Sequence, residues 1–123
     1  MILHEWAQIP AETMNPRFAR RVIHTARMTI ARLELKAGAH VPEHAHENEQ
    51  VSMVESGLLR FRLAGREILA GPGQAVEIPP HVPHSVDALE DASVTDLFAP
   101  RREDWIRGDD AYLRGQPLTP VSG

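Results

Sequence analysis

The sequence predicts an all-β fold, and three observations predict it. Short stretches rich in β-forming residues follow one another from about residue 18 to residue 98. Glycine-bearing reversals ("KAG" at 36–38, "ESG" at 55–57, "LAG" at 63–65, "GPG" at 71–73) separate them about every eight to ten residues. No sustained helical periodicity appears before Pro100. Many short strands at this spacing form a sandwich or a closed barrel, and closure removes the open edges that a small β protein must otherwise protect.

Along the chain, the first residues, "MILHEWAQIPAE", carry Glu5 and lack both a basic start and an apolar run. They do not read as a secretory leader, so the expected compartment is the cytoplasm. Strands are expected over 20–24, 28–35, 44–55, 58–63, 67–69, 75–78, 84–87 and 94–98. In 58–63 the two-residue period puts Leu59, Phe61 and Leu63 on one face and Arg60 and Arg62 on the other. After Pro100, "RREDWIRGDDAYLRG" is charged, with Trp105, Ile106, Tyr112 and Leu113 as sparse apolar anchors, which predicts one or two short helices docked outside the barrel. Residues 116–123 hold two prolines and no period and read as a loose tail. The expected organisation is one domain over 1–123, with a barrel core at about 18–99 and a C-terminal extension at 100–123.

Composition narrows the chemistry. The 123 residues are 42% hydrophobic and 24% charged, as in a globular chain, and no apolar run approaches the roughly 20 residues of a membrane helix. A net charge of −4 with 13 basic residues scattered along the chain lacks the footprint of a nucleic-acid binder. With no cysteine, disulfides, thiolate nucleophiles and thiolate metal ligands are excluded. Any metal site must use His, carboxylates and amides.

Such donors crowd into "HAHENEQ", residues 44–50. On a strand His44 and His46 share a face, and Gln50 joins them unless a bulge intervenes, in which case Glu49 takes its place. Further on, "IPPHVPHS" holds an extended proline-rich segment ending in His84, a third imidazole, with His81 as its local competitor. Three imidazoles and one oxygen donor suit one divalent ion of Fe, Mn, Ni, Zn or Co. His4, His24 and His40 lie apart from this pattern and read as surface or strand residues.

The spacing in "GAHVPEHAHENEQVSMVESG" and "GQAVEIPPHVPH" resembles the two motifs of the single-domain cupins, and the likeness spans about residues 30–98. The resemblance implies a small antiparallel double-stranded β-helix, a jelly-roll barrel of two sheets, with a divalent metal inside held by His44, His46, Gln50 and His84. It aligns with His84 rather than His81. Where the commoner pattern has a glutamate, this chain has Gln50, which leaves the metal's charge uncompensated.

Within "VTDLFAPRRED", Val94, Asp96 and Phe98 share one face, with Arg102 four residues on. If that face looks inward, Asp96 stands near the metal; otherwise it closes a barrel end and Arg102 is an ordinary surface charge. The set resembles the cupins of pectin degradation that linearise unsaturated uronates (the KdgF type), through "HxHxxEQ", "PPxVPH" and an Asp, a Phe and an Arg near "FxPxRED". That resemblance implies an isomerase in which Asp96 moves a proton, Arg102 pairs with the carboxylate of a sugar acid, and Phe98 packs the sugar. A metal-dependent dioxygenase of the quercetinase type, a non-catalytic small-molecule binder and a purely structural cupin remain as alternatives. A homodimer is the expected assembly, with residues 1–9 either swapped onto the partner as an edge strand or folded back on their own chain.

Overall fold

The structure, a computed structural model, describes residues 1–114. Its strands are β1 (Glu12–Asn15), β2 (Phe18–His24), β3 (Thr29–Leu35), β4 (His40–His44), β5 (Glu49–Ser56), β6 (Leu59–Leu63), β7 (Arg66–Ala70), β8 (Ala75–Ile78), β9 (His84–Ala88) and β10 (Ala92–Ala99). They build a six-stranded sheet in the order β1-β2-β3-β10-β5-β8 and a four-stranded sheet in the order β4-β9-β6-β7. Every pairing between them is antiparallel. This is the two-sheet antiparallel barrel expected from the sequence.

Alternation along each strand sets what lies inside. In β10, Ala92, Val94, Asp96 and Phe98 are buried while Ser93, Thr95 and Leu97 are half-exposed, and the strand runs between β3 and β5 in the middle of the large sheet. From β6, Leu59 and Phe61 are buried in the core, and Arg60 and Arg62 turn outward to ion pairs with Asp87 and Glu67. Each such buried side chain contributes about 1.5–3 kcal/mol of apolar transfer. Gly57, which ends the first histidine motif, reverses the chain with φ +83°, and a Cβ there would meet the Asp91 carbonyl oxygen at 2.2 Å. Only glycine fits both demands.

Three expectations need correction. The strand expected over 44–55 is two strands: β4 belongs to the small sheet and β5 to the large one, with a bend at 45–48 between them. The bend breaks the run of backbone pairing, so its two halves ladder with different partners. Pro42 sits inside β4 where the register with β9 slips between Val41 and His44, a place that tolerates a missing N–H. Residues 12–15, with no run of β-branched side chains, form the short edge strand β1.

The segment after Pro100 is the third correction. It folds into the short helix α1 (Glu103–Arg107) and a 3₁₀ turn at Ala111–Arg114. Rather than docking outside, it plugs one end of the barrel: Trp105 and Leu113 are buried in the same core cluster as Phe18, Leu33 and Phe98. The expectation for residues 116–123 lies outside the described residues.

At the other terminus, the Trp6–Gln8 turn lies against its own chain, with the Arg32 guanidinium 5.4 Å over the Trp6 ring. Met1, Ile2 and Leu3 are exposed. Among the described residues, no helix is long and apolar enough to cross a membrane.

Candidate metal centre

His44 closes β4 and His84 opens β9 directly opposite it in the small sheet. His46 sits on the bend that carries the chain to the large sheet, and Gln50 follows on β5. The sequence argument by strand parity therefore reached the same residues by a different geometry. His44 and Gln50 face each other from two sheets instead of sharing a strand face. Donor nitrogens of His44, His46 and His84 lie within 4.8 Å of one another. Gln50 points inward and is 5% exposed, whereas Glu49 is exposed. His81 is exposed in the turn with φ +65°, and its backbone N–H donates to the His46 carbonyl at 2.8 Å, tying the two histidine-bearing segments together.

Backbone carbonyls hold all three rings in one tautomer. Nδ1 donates to Pro42 O from His44 (2.7 Å), to Asn48 O from His46 (3.0 Å) and to Val82 O from His84 (2.8 Å). Because a carbonyl can only accept, each Nδ1 carries the proton and each Nε2 presents a lone pair. Burial keeps the rings neutral. It lowers His44 to about 3, helped by the neighbouring His84, and His46 to about 4, helped by Arg102 and His84. His84 is lowered too, again mainly by burial.

Two features of this set call for a cation. The Nε2 of His84 is buried with no hydrogen-bond partner among the described residues. The Nε2 of His46 lies 3.0 Å from Gln50 Oε1. The Gln50 amide is oriented by its Nε2, which donates to Ser52 Oγ at 3.0 Å and to Asp96 Oδ2 at 3.4 Å, so Oε1 must face the ring. With the His46 proton on Nδ1, two lone pairs oppose each other; moving it to Nε2 creates the same conflict at Asn48 O. A divalent ion bound by His44, His46, His84 and Gln50 removes both conflicts, and the carbonyl-bound Nδ1 atoms are the outer contacts that orient histidine ligands.

Asp96 lies beside this set, its residue paired with Ser52 and that of Phe98 with Gln50 across β10 and β5. The inward reading of this face is the one found. The carboxyl is 6% exposed, and its Oδ1 has no hydrogen-bond partner among the described residues. Burial pushes its pKa up to about 6 against the opposing pull of the Ser52 hydroxyl and the Arg102 charge. The Phe98 ring lies edge-on to His46, with centroids 5.7 Å apart.

Arg102 is not a surface charge; it is 1% exposed. Its Nε and Nη2 grip Asp104 at 2.9 and 2.7 Å, Nη2 also donates to the Tyr112 hydroxyl at 3.0 Å, and the guanidinium lies 4.7 Å from the Phe98 centroid and 4.4 Å from that of Trp105. Although burial opposes its charge, Asp104 and Tyr112 raise its pKa. The bidentate edge that the resemblance assigns to a substrate carboxylate is engaged by Asp104, and among the described residues Nη1 makes no hydrogen bond.

His44, Gln50, His84, Asp96, Phe98 and Arg102 all line one interior cavity of ≈ 50 Å³. So do residues that the sequence reading did not select for the site: Ser52, Trp105 and Tyr112, the last with its ring centroid 4.8 Å from that of His44. Asn48 was missed as well. It is buried and donates to the Pro100 and Arg101 carbonyls at 2.5 and 3.2 Å, pinning the His46 bend to the start of the C-terminal plug. An Asn between two glutamates and a Tyr in a charged stretch carry no local signal for these roles.

The cupin domain family matches residues 31–98, more than half of the chain. Among solved structures, KdgF from Halomonas sp. is 31% identical, with a TM-score of 0.75 over 80% of this chain and 94% of that one. An RmlC-like cupin from Shewanella frigidimarina is 25% identical, with a TM-score of 0.79 over 84% and 94% of the two chains. An oxalate decarboxylase of Bacillus subtilis, 20% identical with a TM-score of 0.70 over 79% of this chain and 29% of that one, shares the fold. Comparison with curated protein sequences gives no match. On the family match over residues 31–98 and on the histidine set within it, the chain belongs to the cupin family.

Proposed function

We propose that this cupin opens a 4,5-unsaturated uronate to its linear 5-keto form by metal-assisted proton transfer. The observation that carries the proposal is the Asp96 Oδ1 atom: a buried carboxyl oxygen without a hydrogen-bond partner among the described residues, in the cavity that His44 and His84 also line. A buried carboxyl left unsatisfied costs stability unless a ligand or a proton completes it. The 31% identity to KdgF from Halomonas sp. supports the same reading.

The reaction is an isomerisation and needs no oxidant or reductant. Opening the ring hemiacetal gives an aldehyde at C1 and an enol at C5. A proton added at C4, with loss of the enol O–H proton, then gives the ketone. His44, His46, Gln50 and His84 would hold a divalent ion, which would supply Lewis acidity toward the negative charge developing on the enol oxygen. Asp96, raised to about 6, is poised to hold a proton at near-neutral pH, deliver it from Oδ1 to C4 and recover one from the enol oxygen. Arg102, held in place by Asp104, offers Nη1 to the substrate carboxylate. Phe98, which lines the cavity beside His46, is the aromatic residue that packs the sugar.

The reading is tested by following the ultraviolet absorbance of a 4,5-unsaturated galacturonate with metal-loaded protein, chelated protein and Asp96→Asn, against spontaneous opening. The expected result is fast decay that needs the metal and falls about 100-fold or more in Asp96→Asn at unchanged metal content. Decay no faster than the spontaneous rate discards the substrate. Oxygen uptake by the same protein would favour a dioxygenase instead, a reading that Gln50 in the usual carboxylate position disfavours.

A further inference from the structure

The cavity beside the histidines is small. At ≈ 50 Å³ it is well below the roughly 150 Å³ of an apolar cavity that accepts benzene. A ring-sized ligand fits wholly inside it only if one wall yields. Most of that wall is sheet, with Leu33, Val86 and Val94 on strands paired on one or both sides by backbone ladders. The remainder is Arg102 and Trp105 at the start of the plug, where Arg102 is tied to Thr29 and gripped by Asp104, and the 3₁₀ turn Ala111–Arg114, which brings Tyr112 and Leu113 to the cavity.

Side chains hold this turn to the barrel. Asp110 accepts from Arg20 of β2 at 2.5 Å and from Arg114 at 3.2 Å; Arg114 reaches Glu12 of β1 at 3.1 Å; Asn15 of β1 donates to the Leu113 carbonyl at 3.3 Å. Of these, only the Arg20–Asp110 pair is buried on both sides, while the Arg114–Glu12 pair is exposed and worth little. Displacing the turn breaks these contacts and no sheet ladder.

Tyr112 is the part of the turn that meets the site. Its ring packs against His44, and its hydroxyl oxygen accepts from Arg102 Nη2, which leaves the phenolic proton free to be donated to another oxygen.

We propose that the Ala111–Arg114 turn is the wall that sets ligand size in the metal pocket, with Tyr112 as its ligand-facing residue. Compact carboxylates bind with the turn seated, and ring-sized ones bind at the expense of displacing it. This rests on the metal pocket described above but not on the uronate reaction.

The test uses cobalt(II)-loaded protein and reads the shift of its visible band on titration with acetate and with saturated galacturonate. In Tyr112→Ala the ratio of galacturonate Kd to acetate Kd is expected to fall at least about 10-fold at unchanged cobalt content, and in Tyr112→Trp to rise. Asp110→Asn, which unpins the turn and keeps Tyr112, is expected to lower the ratio about 3-fold, so the proposal stays testable if Tyr112→Ala does not fold. An unchanged ratio in the Tyr112 and Asp110 variants, with acetate still shifting the band, overturns the wall assignment and leaves the metal pocket standing. A band that acetate does not shift in the unaltered protein overturns both.

Discussion

The two sides of the pocket are built by different means. On one side His44 and His84 sit opposite each other in a ladder, Gln50 lies on a central strand, and each imidazole is oriented by a backbone carbonyl. On the other side Arg102, Trp105, Tyr112 and Leu113 come from a segment outside both sheets, held by ion pairs, hydrogen bonds and stacking among side chains. Both sides are buried, but only the first is fixed by main-chain bonds that do not depend on side-chain identity. A barrel that grips its metal with the frame and its ligand with the plug can alter the second without disturbing the first.

The sharpest way to break this contrast is to remove a ligand from the rigid side. His84→Ala is expected to lower affinity for a divalent ion at least about 100-fold, since even outer contacts of a metal ligand are worth 10–100-fold. Chelator competition measures it. The same variant should abolish the difference in Tm between metal-loaded and chelated protein, because binding to the folded state alone is what raises Tm. Near-normal affinity in His84→Ala would mean that the set around His44 and His46 does not need its buried third member.

Next in size is the buried pin of the plug. Asp110→Asn leaves the buried Arg20 facing a neutral amide and is expected to cost about 3 kcal/mol in urea unfolding near pH 7, with metal affinity nearly unchanged. Burial raises the Asp110 pKa, but the hydrogen bonds of Arg114 and Arg20 outweigh it and the net shift is downward. A depressed carboxyl pKa stabilises the fold fully above the unfolded value of about 4 and loses that contribution as pH falls through the lower folded value. The facing groups are Glu12 on β1, Arg20 on β2 and Arg114 on the turn itself. The unaltered protein should therefore lose stability more steeply than Asp110→Asn as pH drops below about 4. Parallel acid limbs would show that the ion pair adds nothing.

The contrast also accounts for what was legible beforehand. The strands between Phe18 and Phe98 announce themselves by alternation, and His44, His46, Gln50 and His84 by spacing, because backbone geometry ties side-chain direction to position in the chain. The inward face of Val94, Asp96 and Phe98 follows from the same period of two. Parity failed where the chain changes sheet at 45–48, since the turn there is made by Asn48 reaching carbonyls some fifty positions away. Arg102 was read as a partner for a substrate carboxylate or else a surface charge, and Tyr112 as an apolar anchor; the contacts that bury them were missed for the same reason. Their partners, Asp104, Trp105 and each other, are chosen by the packing of the plug, which no local pattern encodes.

Asn48 joins the two sides, and its replacement is the smallest of these effects. Asn48→Ala removes the donors to the Pro100 and Arg101 carbonyls and leaves two carbonyl groups beside a buried gap, an expected cost of about 1–3 kcal/mol. The His46 ring keeps its contact to the residue 48 backbone carbonyl, so its tautomer survives while the bend that carries it loosens. Metal affinity should then fall about 10-fold, the lower end for loss of an outer contact, with stability and affinity reduced together. Asp110→Asn lowers stability and spares metal affinity, and His84→Ala chiefly lowers metal affinity. If Asn48→Ala lowers stability and spares affinity, the bend is fixed by the His81 and His46 backbones alone, and the frame and the plug are independent.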